Sequence, residues 1–105
     1  MLKVYGSEMC SDCRNCKLNF DKFKIDYSFI DINSSLKNLK EFLYLRDHYD
    51  DVFKRLKDMG DIGLPAIIDN EKVFTDWESY LINLGHKDLI YEETIKSCSI
   101  DHKGC

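Results

Sequence analysis

Leu2-Lys3-Val4-Tyr5-Gly6-Ser7-Glu8-Met9-Cys10-Ser11-Asp12-Cys13, taken together with Tyr27-Ser28-Phe29-Ile30-Asp31-Ile32, decides the fold class of this chain. Leu2 to Tyr5 is a short apolar-rich run broken by Gly6 and Ser7, the pattern of a buried strand. From Ser11 to about Phe23, the residues Cys13, Cys16, Phe20 and Phe23 recur at helical spacing and make one stripe. Lys24 to Asp26 is a polar connection, and Tyr27 to Ile32 has the aromatic and β-branched content of a half-buried strand. Strand, helix and strand in about 30 residues predict a βαβ unit, a parallel pair joined by a right-handed crossover.

Working outward, Asn33, Ser34 and Ser35 offer capping side chains ahead of a long periodic segment. Its apolar positions fall into two stripes, Leu36, Leu39, Phe42 and Leu43, then Val52, Phe53, Leu56 and Met59. The polar stretch Arg46-Asp47-His48, with Asp50 and Asp51, predicts a kink or a break into two helices between them. Gly60 suits the left-handed position after a helix end. Pro65 opens a strand Ala66-Ile67-Ile68, and a turn at Asn70-Glu71 leads into Lys72-Val73-Phe74-Thr75, which predicts an antiparallel hairpin. Asp76 caps a helix carrying Trp77, Tyr80, Leu81 and Leu84, ended by Gly85, and a further helical stretch is expected over roughly Lys87 to Lys96. The expected class is α/β, a four-stranded mixed sheet flanked by helices in the order β-α-β-α-β-β-α. It carries an elongated second helical segment and a C-terminal extension. One domain over 1–96 and a cysteine-bearing tail over 97–105 complete the layout.

A chain of 105 residues supports one core and not two. At this size folding buries roughly two-thirds of the surface that the unfolded chain exposes. Hydrophobic residues at 44% and aromatics at 12% exclude a disordered or low-complexity protein. The 15 Lys+Arg against 19 Asp+Glu leave a net charge of −4, without the basic balance of a nucleic-acid binder. No apolar run approaches the ~20 residues of a transmembrane helix, and Met1 to Gly6 lacks the pattern of a signal peptide. A cytoplasmic protein with no membrane and no nucleic-acid partner is expected. There the five cysteines, an odd number, stand as thiols and not as a disulfide framework.

Cys10-Ser11-Asp12-Cys13 falls between the first strand and the first helix. A helix N-terminus presents unpaired N–H groups and the positive end of the dipole, both of which favour a thiolate. Cys10 at the N-cap then attacks a substrate disulfide, and Cys13, one turn further in, resolves the mixed disulfide. Alone, a CxxC suits redox or zinc chemistry alike. After a strand and at the start of the helix of a βαβ unit, it reads as a thioredoxin-like redox motif.

With Val4-Tyr5-Gly6 before this pair, Phe29-Ile30-Asp31-Ile32 as second strand and Gly63-Leu64-Pro65-Ala66-Ile67 later on, residues 2–84 resemble the glutaredoxin branch of the thioredoxin superfamily. They look most like the small bacterial glutaredoxin-related proteins, which carry a longer second helix, similar to Leu39 through Lys57, and a cysteine-bearing tail. The resemblance implies a thioredoxin-like fold, a cis peptide at Leu64-Pro65 facing the Cys10 sulfur, and substrate pairing with the backbone before the proline. It implies a monomeric thiol–disulfide oxidoreductase with Cys10 and Cys13 as catalytic pair and Leu64, Pro65, Thr75 and Asp76 at the substrate. No tightly bound cofactor is implied. Glutathione is the co-substrate, and partners are disulfide-containing proteins, glutathione and a thioredoxin-type reductase. The chain departs from the family pattern in having Ser7 for the usual lysine and Thr75-Asp76 for the usual Gly-Gly. Glu8 and Asp12 are expected to raise the Cys10 pKa, with Arg14 and Lys17 partly offsetting them.

Cys16 extends the motif and reads as a core residue beside Phe20 and Phe23, or else as a third metal ligand. The metal alternative is a zinc module of Cys10, Cys13, Cys16 and a tail cysteine or His102. Cys98 and Cys105 form an accessory redox pair that exchanges with Cys10 and Cys13, or supply zinc ligands, or go unused. Trp77 packs the last helix or lines a substrate groove. His48 and His86 are surface residues on polar segments.

Overall fold

The computed structural model describes residues 1–92. Strand β1 (Leu2–Gly6) is followed by helix α1 (Ser11–Lys22) and strand β2 (Tyr27–Asp31), so the βαβ unit lies where the sequence places it. β1 and β2 pair in parallel, Leu2 opposite Tyr27 and Gly6 opposite Asp31. Helices α2 (Leu36–His48) and α3 (Asp50–Asp58) come next, then strands β3 (Ala66–Asp69) and β4 (Lys72–Phe74) and helix α4 (Trp77–Asn83). The sheet runs β2-β1-β3-β4, with β3 antiparallel to both of its neighbours.

Alternation along the strands sends side chains to two faces. Tyr5, Ala66 and Val73 pack with Phe42, Leu45 and Phe53 of the second and third helices. Leu2, Val4 and Ile67 pack with Cys16 and Phe20 of α1 and with Trp77 and Leu81 of α4. Helices therefore cover both faces of one sheet. Burying a large apolar side chain on either face contributes roughly 1.5–3 kcal/mol.

Local signals account for the element ends. The Ser35 Oγ accepts from the Asn38 N–H at 3.1 Å at the start of α2. The expected break falls at Tyr49, whose φ of −120° and ψ of 64° separate α2 from α3. Gly60 takes a φ of +81° directly after the helical segment, the left-handed value that a side chain resists.

Two expectations are corrected. The buried residues of α2 are Phe42 and Leu45, whereas Leu36 is 74% exposed and Leu43 lies at the surface. Leu36 sits in the first turn, and the helix rolls Leu45, one turn beyond Phe42, against the sheet instead. The helix expected from Lys87 is absent over 87–92; positions 93–96 lie outside the described residues. Side chains of α1 take up its backbone groups instead. Asn19 accepts from the Ile90 N–H at 2.8 Å and donates to the Ile90 carbonyl at 2.7 Å, and Asn15 accepts from the Glu92 N–H at 2.7 Å. Backbone satisfied by a neighbouring helix has no need of its own helical bonds.

Candidate functional site

Gly6 ends β1, and Cys10 forms the N-cap of α1 with an extended backbone, φ −100° and ψ 119°. Its sulfur accepts from the Cys13 N–H at 3.3 Å, the position that a capping serine oxygen would take. The loop between is tied to its own backbone, with the Cys10 N–H donating to the Ser7 carbonyl at 3.1 Å. Ser7, 5% exposed, donates through its hydroxyl to Asn33 after β2 and accepts from the Met9 N–H at 3.1 Å.

The thiols differ in electrostatics. Cys10 is held below the ordinary thiol pKa, first by the hydrogen bond from the Cys13 thiol and further by backbone bonds from Cys13 and Asp12, against burial and the Asp12 charge. Cys13 is pushed strongly up, because it donates to Cys10 and is buried. Cys16 is pushed up mainly by burial. The surroundings thus favour the anion at Cys10 and the neutral thiol at Cys13. The expected influence of Asp12 is present, and the Arg14 charge also interacts with Cys10, although both expected cations are paired with carboxylates. Arg14 is paired with Glu92 at 2.8 Å and donates to the Glu8 carbonyl, and Lys17 is paired with Glu8.

A glycine makes room for this pair. A Cβ on Gly6 would stand 2.8 Å from the Cys13 sulfur and 3.0 Å from the Phe29 ring. Opposite, Leu64 precedes Pro65 through a cis peptide. Between them opens a cleft of about 260 Å³, lined by Ser7, Met9, Cys10, Ile32, Asn33, Ile62 and Leu64. Its far wall is held from behind. The Arg46 guanidinium donates to the Asp61 carbonyl at 3.0 Å, and Gly63, at φ +99°, lies so near Phe53 that a Cβ would stand 2.9 Å from its ring.

The structure brings Cys10, Cys13 and Leu64 together in one apolar cluster, with Cys10 and Leu64 in the cleft wall. Pro65 is buried directly behind. Thr75 and Asp76 do not line this cleft. Asp76 caps α4 instead, accepting from the Ser79 N–H at 3.1 Å and from its hydroxyl at 2.9 Å. Cys16 belongs to the cluster on the other face, with Phe20 and Trp77. Among the described residues no group of three His, Cys, Asp or Glu side chains is placed to hold a metal ion. Cys98, His102 and Cys105 lie outside the described residues. Trp77 is a core residue, and its indole N–H donates to the Asp12 carboxylate at 3.3 Å, tying α4 to the cysteine motif. His86 stacks on Phe23 and His48 on Tyr44.

Sequence reasoning missed Met9, Ile32, Asn33 and Ile62 as cleft residues. Met9 and Ile62, apolar yet 72% and 44% exposed, flank loop positions whose meeting only the fold determines. Among the described residues no helix is long and apolar enough to cross a membrane.

The fold and site define an α/β protein with an N-capping cysteine pair beside an open apolar cleft. Over 65 residues the chain is 34% identical to a Haemophilus influenzae protein described as uncharacterized, a match covering 62% of this chain and 74% of that one. The chain belongs to the family of that protein. No family model and no solved structure matches the chain.

Proposed function

We propose that this protein is a thiol–disulfide oxidoreductase of the glutaredoxin type, built on a thioredoxin-like fold. The observation that carries the reading is the Cys10 sulfur, capping α1 and accepting hydrogen bonds from Cys13, in the wall of an open cleft. The mixed sheet in the order β2-β1-β3-β4 supports it, being compatible with a small domain of that fold. So does the resemblance of residues 2–84 to glutaredoxins.

The Cys10 thiolate attacks one sulfur of a substrate disulfide. A bond forms between that sulfur and Cys10 as the substrate S–S bond breaks, and the other substrate sulfur leaves as a thiolate. Cys13 then gives its proton to the departing thiolate and attacks Cys10. The Cys10–Cys13 disulfide forms, and the second substrate sulfur departs. Two electrons have passed to the substrate, and the dithiol is oxidised. Glutathione or a thioredoxin-type reductase returns those two electrons. On this reading the protein works as a monomer in the cytoplasm, where thiols are kept reduced, on protein disulfides or glutathione mixed disulfides.

Steady-state disulfide reduction, run with glutathione and with thioredoxin reductase as alternative electron sources, tests this. Cys10→Ser abolishes turnover, whereas Cys16→Ser, altered on the other face of the sheet, keeps most of it. Full turnover by Cys10→Ser rejects the assignment.

A further inference from the structure

We propose that the preferred substrate of the Cys10–Cys13 pair is a polypeptide disulfide whose cysteine is flanked by an aliphatic side chain. An anionic small thiol is the poorer fit. The proposal rests on the oxidoreductase reading and names the substrate class of that same site.

Apart from the reacting Cys10, every described residue lining the cleft is uncharged, and Met9, Ile32, Ile62 and Leu64 supply its apolar surface. Met9 is largely open to solvent and Ile62 partly so. Apolar side chains left exposed around a concave surface are the mark of a contact site. An aliphatic group entering beside the substrate cysteine covers them.

Charge argues in the same direction. Asp12 sets a negative charge in the first turn of α1, between the two cysteines, and Glu8, paired with Lys17, lies just before them. The cations nearest them are engaged, Arg14 by Glu92 and the Glu8 carbonyl, Lys17 by Glu8. Arg46 donates to the Asp61 carbonyl and does not line the cleft. Glutathione carries two carboxylates and one ammonium, so it brings a net negative charge to a cleft whose described lining offers no cationic side chain. Like charges brought together disfavour binding, and this works as discrimination between substrates.

Two peptide disulfides identical except for Leu or Asp beside the cysteine test the proposal, with a glutathione mixed disulfide as third substrate. Each second-order rate is divided by that of free dithiothreitol with the same disulfide, which removes intrinsic reactivity. The expected result is a Leu peptide faster than the Asp peptide by about tenfold, the size of one well-placed apolar contact. The glutathione disulfide is expected to be no faster than the Asp peptide. Ile62→Asp and, separately, Met9→Asp, both at exposed positions, each remove most of the advantage of Leu. Equal normalised rates for all three substrates, or a glutathione disulfide faster than the Leu peptide, overturn the proposal. If such uniform turnover still vanishes in Cys10→Ser, the oxidoreductase reading stands and the substrate class alone fails. If wild type reduces none of the three, both fall.

Discussion

Cys10 and Cys13 are the same amino acid one helical turn apart, and their surroundings drive their pKa values in opposite directions. Cys10 receives hydrogen bonds, chiefly from the Cys13 thiol, so its anion is favoured; Cys13 gives one and is buried, so its neutral thiol is favoured. Alkylation reports the thiolate, so the rate at Cys10 rises with pH and levels off once the lowered pKa is passed. The midpoint is expected below that of an ordinary thiol. Because the Asp12 charge opposes that lowering, Asp12→Asn should move the midpoint lower still, and an upward shift would show that Asp12 acts otherwise. Asparagine retains an oxygen for the Trp77 indole, so the change tests charge more than contact. Gly6 belongs at this scale too. With 2.8 Å to the Cys13 sulfur, Gly6→Ala overpacks the pair, and urea unfolding of the reduced protein should show a loss of roughly 1–3 kcal/mol.

At the scale of elements, α1 does more than present the cysteines. Its buried Asn19, with Asn15 and Arg14, fastens residues 90–92 along its outer side. Asn19→Ala removes that fastening and should cost roughly 1–3 kcal/mol, the penalty of buried polar groups losing their partner. Hydrogen exchange checks it more specifically: the Ile90 amide should exchange faster while the β1 amides keep their protection. The Arg14–Glu92 pair, about a third exposed on each side, contributes much less. Elements also show what the sequence could reveal. Strands and the βαβ unit were legible because alternation and helical spacing act over a few residues. The break near Asp47 to Asp51 was legible for the same reason, as polar residues crowd it. The missing helix over 87–92 was not, since it depends on Asn19 meeting Ile90 across 71 positions. Nor was the roll of α2, which the sheet surface chooses between Leu43 and Leu45.

At the scale of the whole molecule, the two faces of the sheet divide the labour. One face, with Cys16, Phe20 and Trp77, is packing; the other carries Cys10 and Leu64 into the cleft, with Cys13 fully buried in the same cluster. Phe53 connects core and cleft, because its ring lies against Gly63 one residue before Leu64. Phe53→Ala should lose roughly 3–5 kcal/mol, followed by thermal or urea unfolding, and should slow Cys10-dependent reduction as the wall relaxes. The cysteine pair could be found from the sequence because its placement after a strand is local. The cleft could not, because Met9, Asn33 and Ile62 come together only when β2, the cysteine loop and the segment before β3 are assembled.

The central claim is that Cys10 attacks and Cys13 resolves, and trapping tests it most directly. Cys13→Ser, mixed with a disulfide peptide, cannot complete the second step and should accumulate a mixed disulfide. Peptide mapping by mass spectrometry should locate that disulfide on Cys10. A mixed disulfide on any other cysteine, or a Cys10 that remains free while substrate is consumed, would contradict the account.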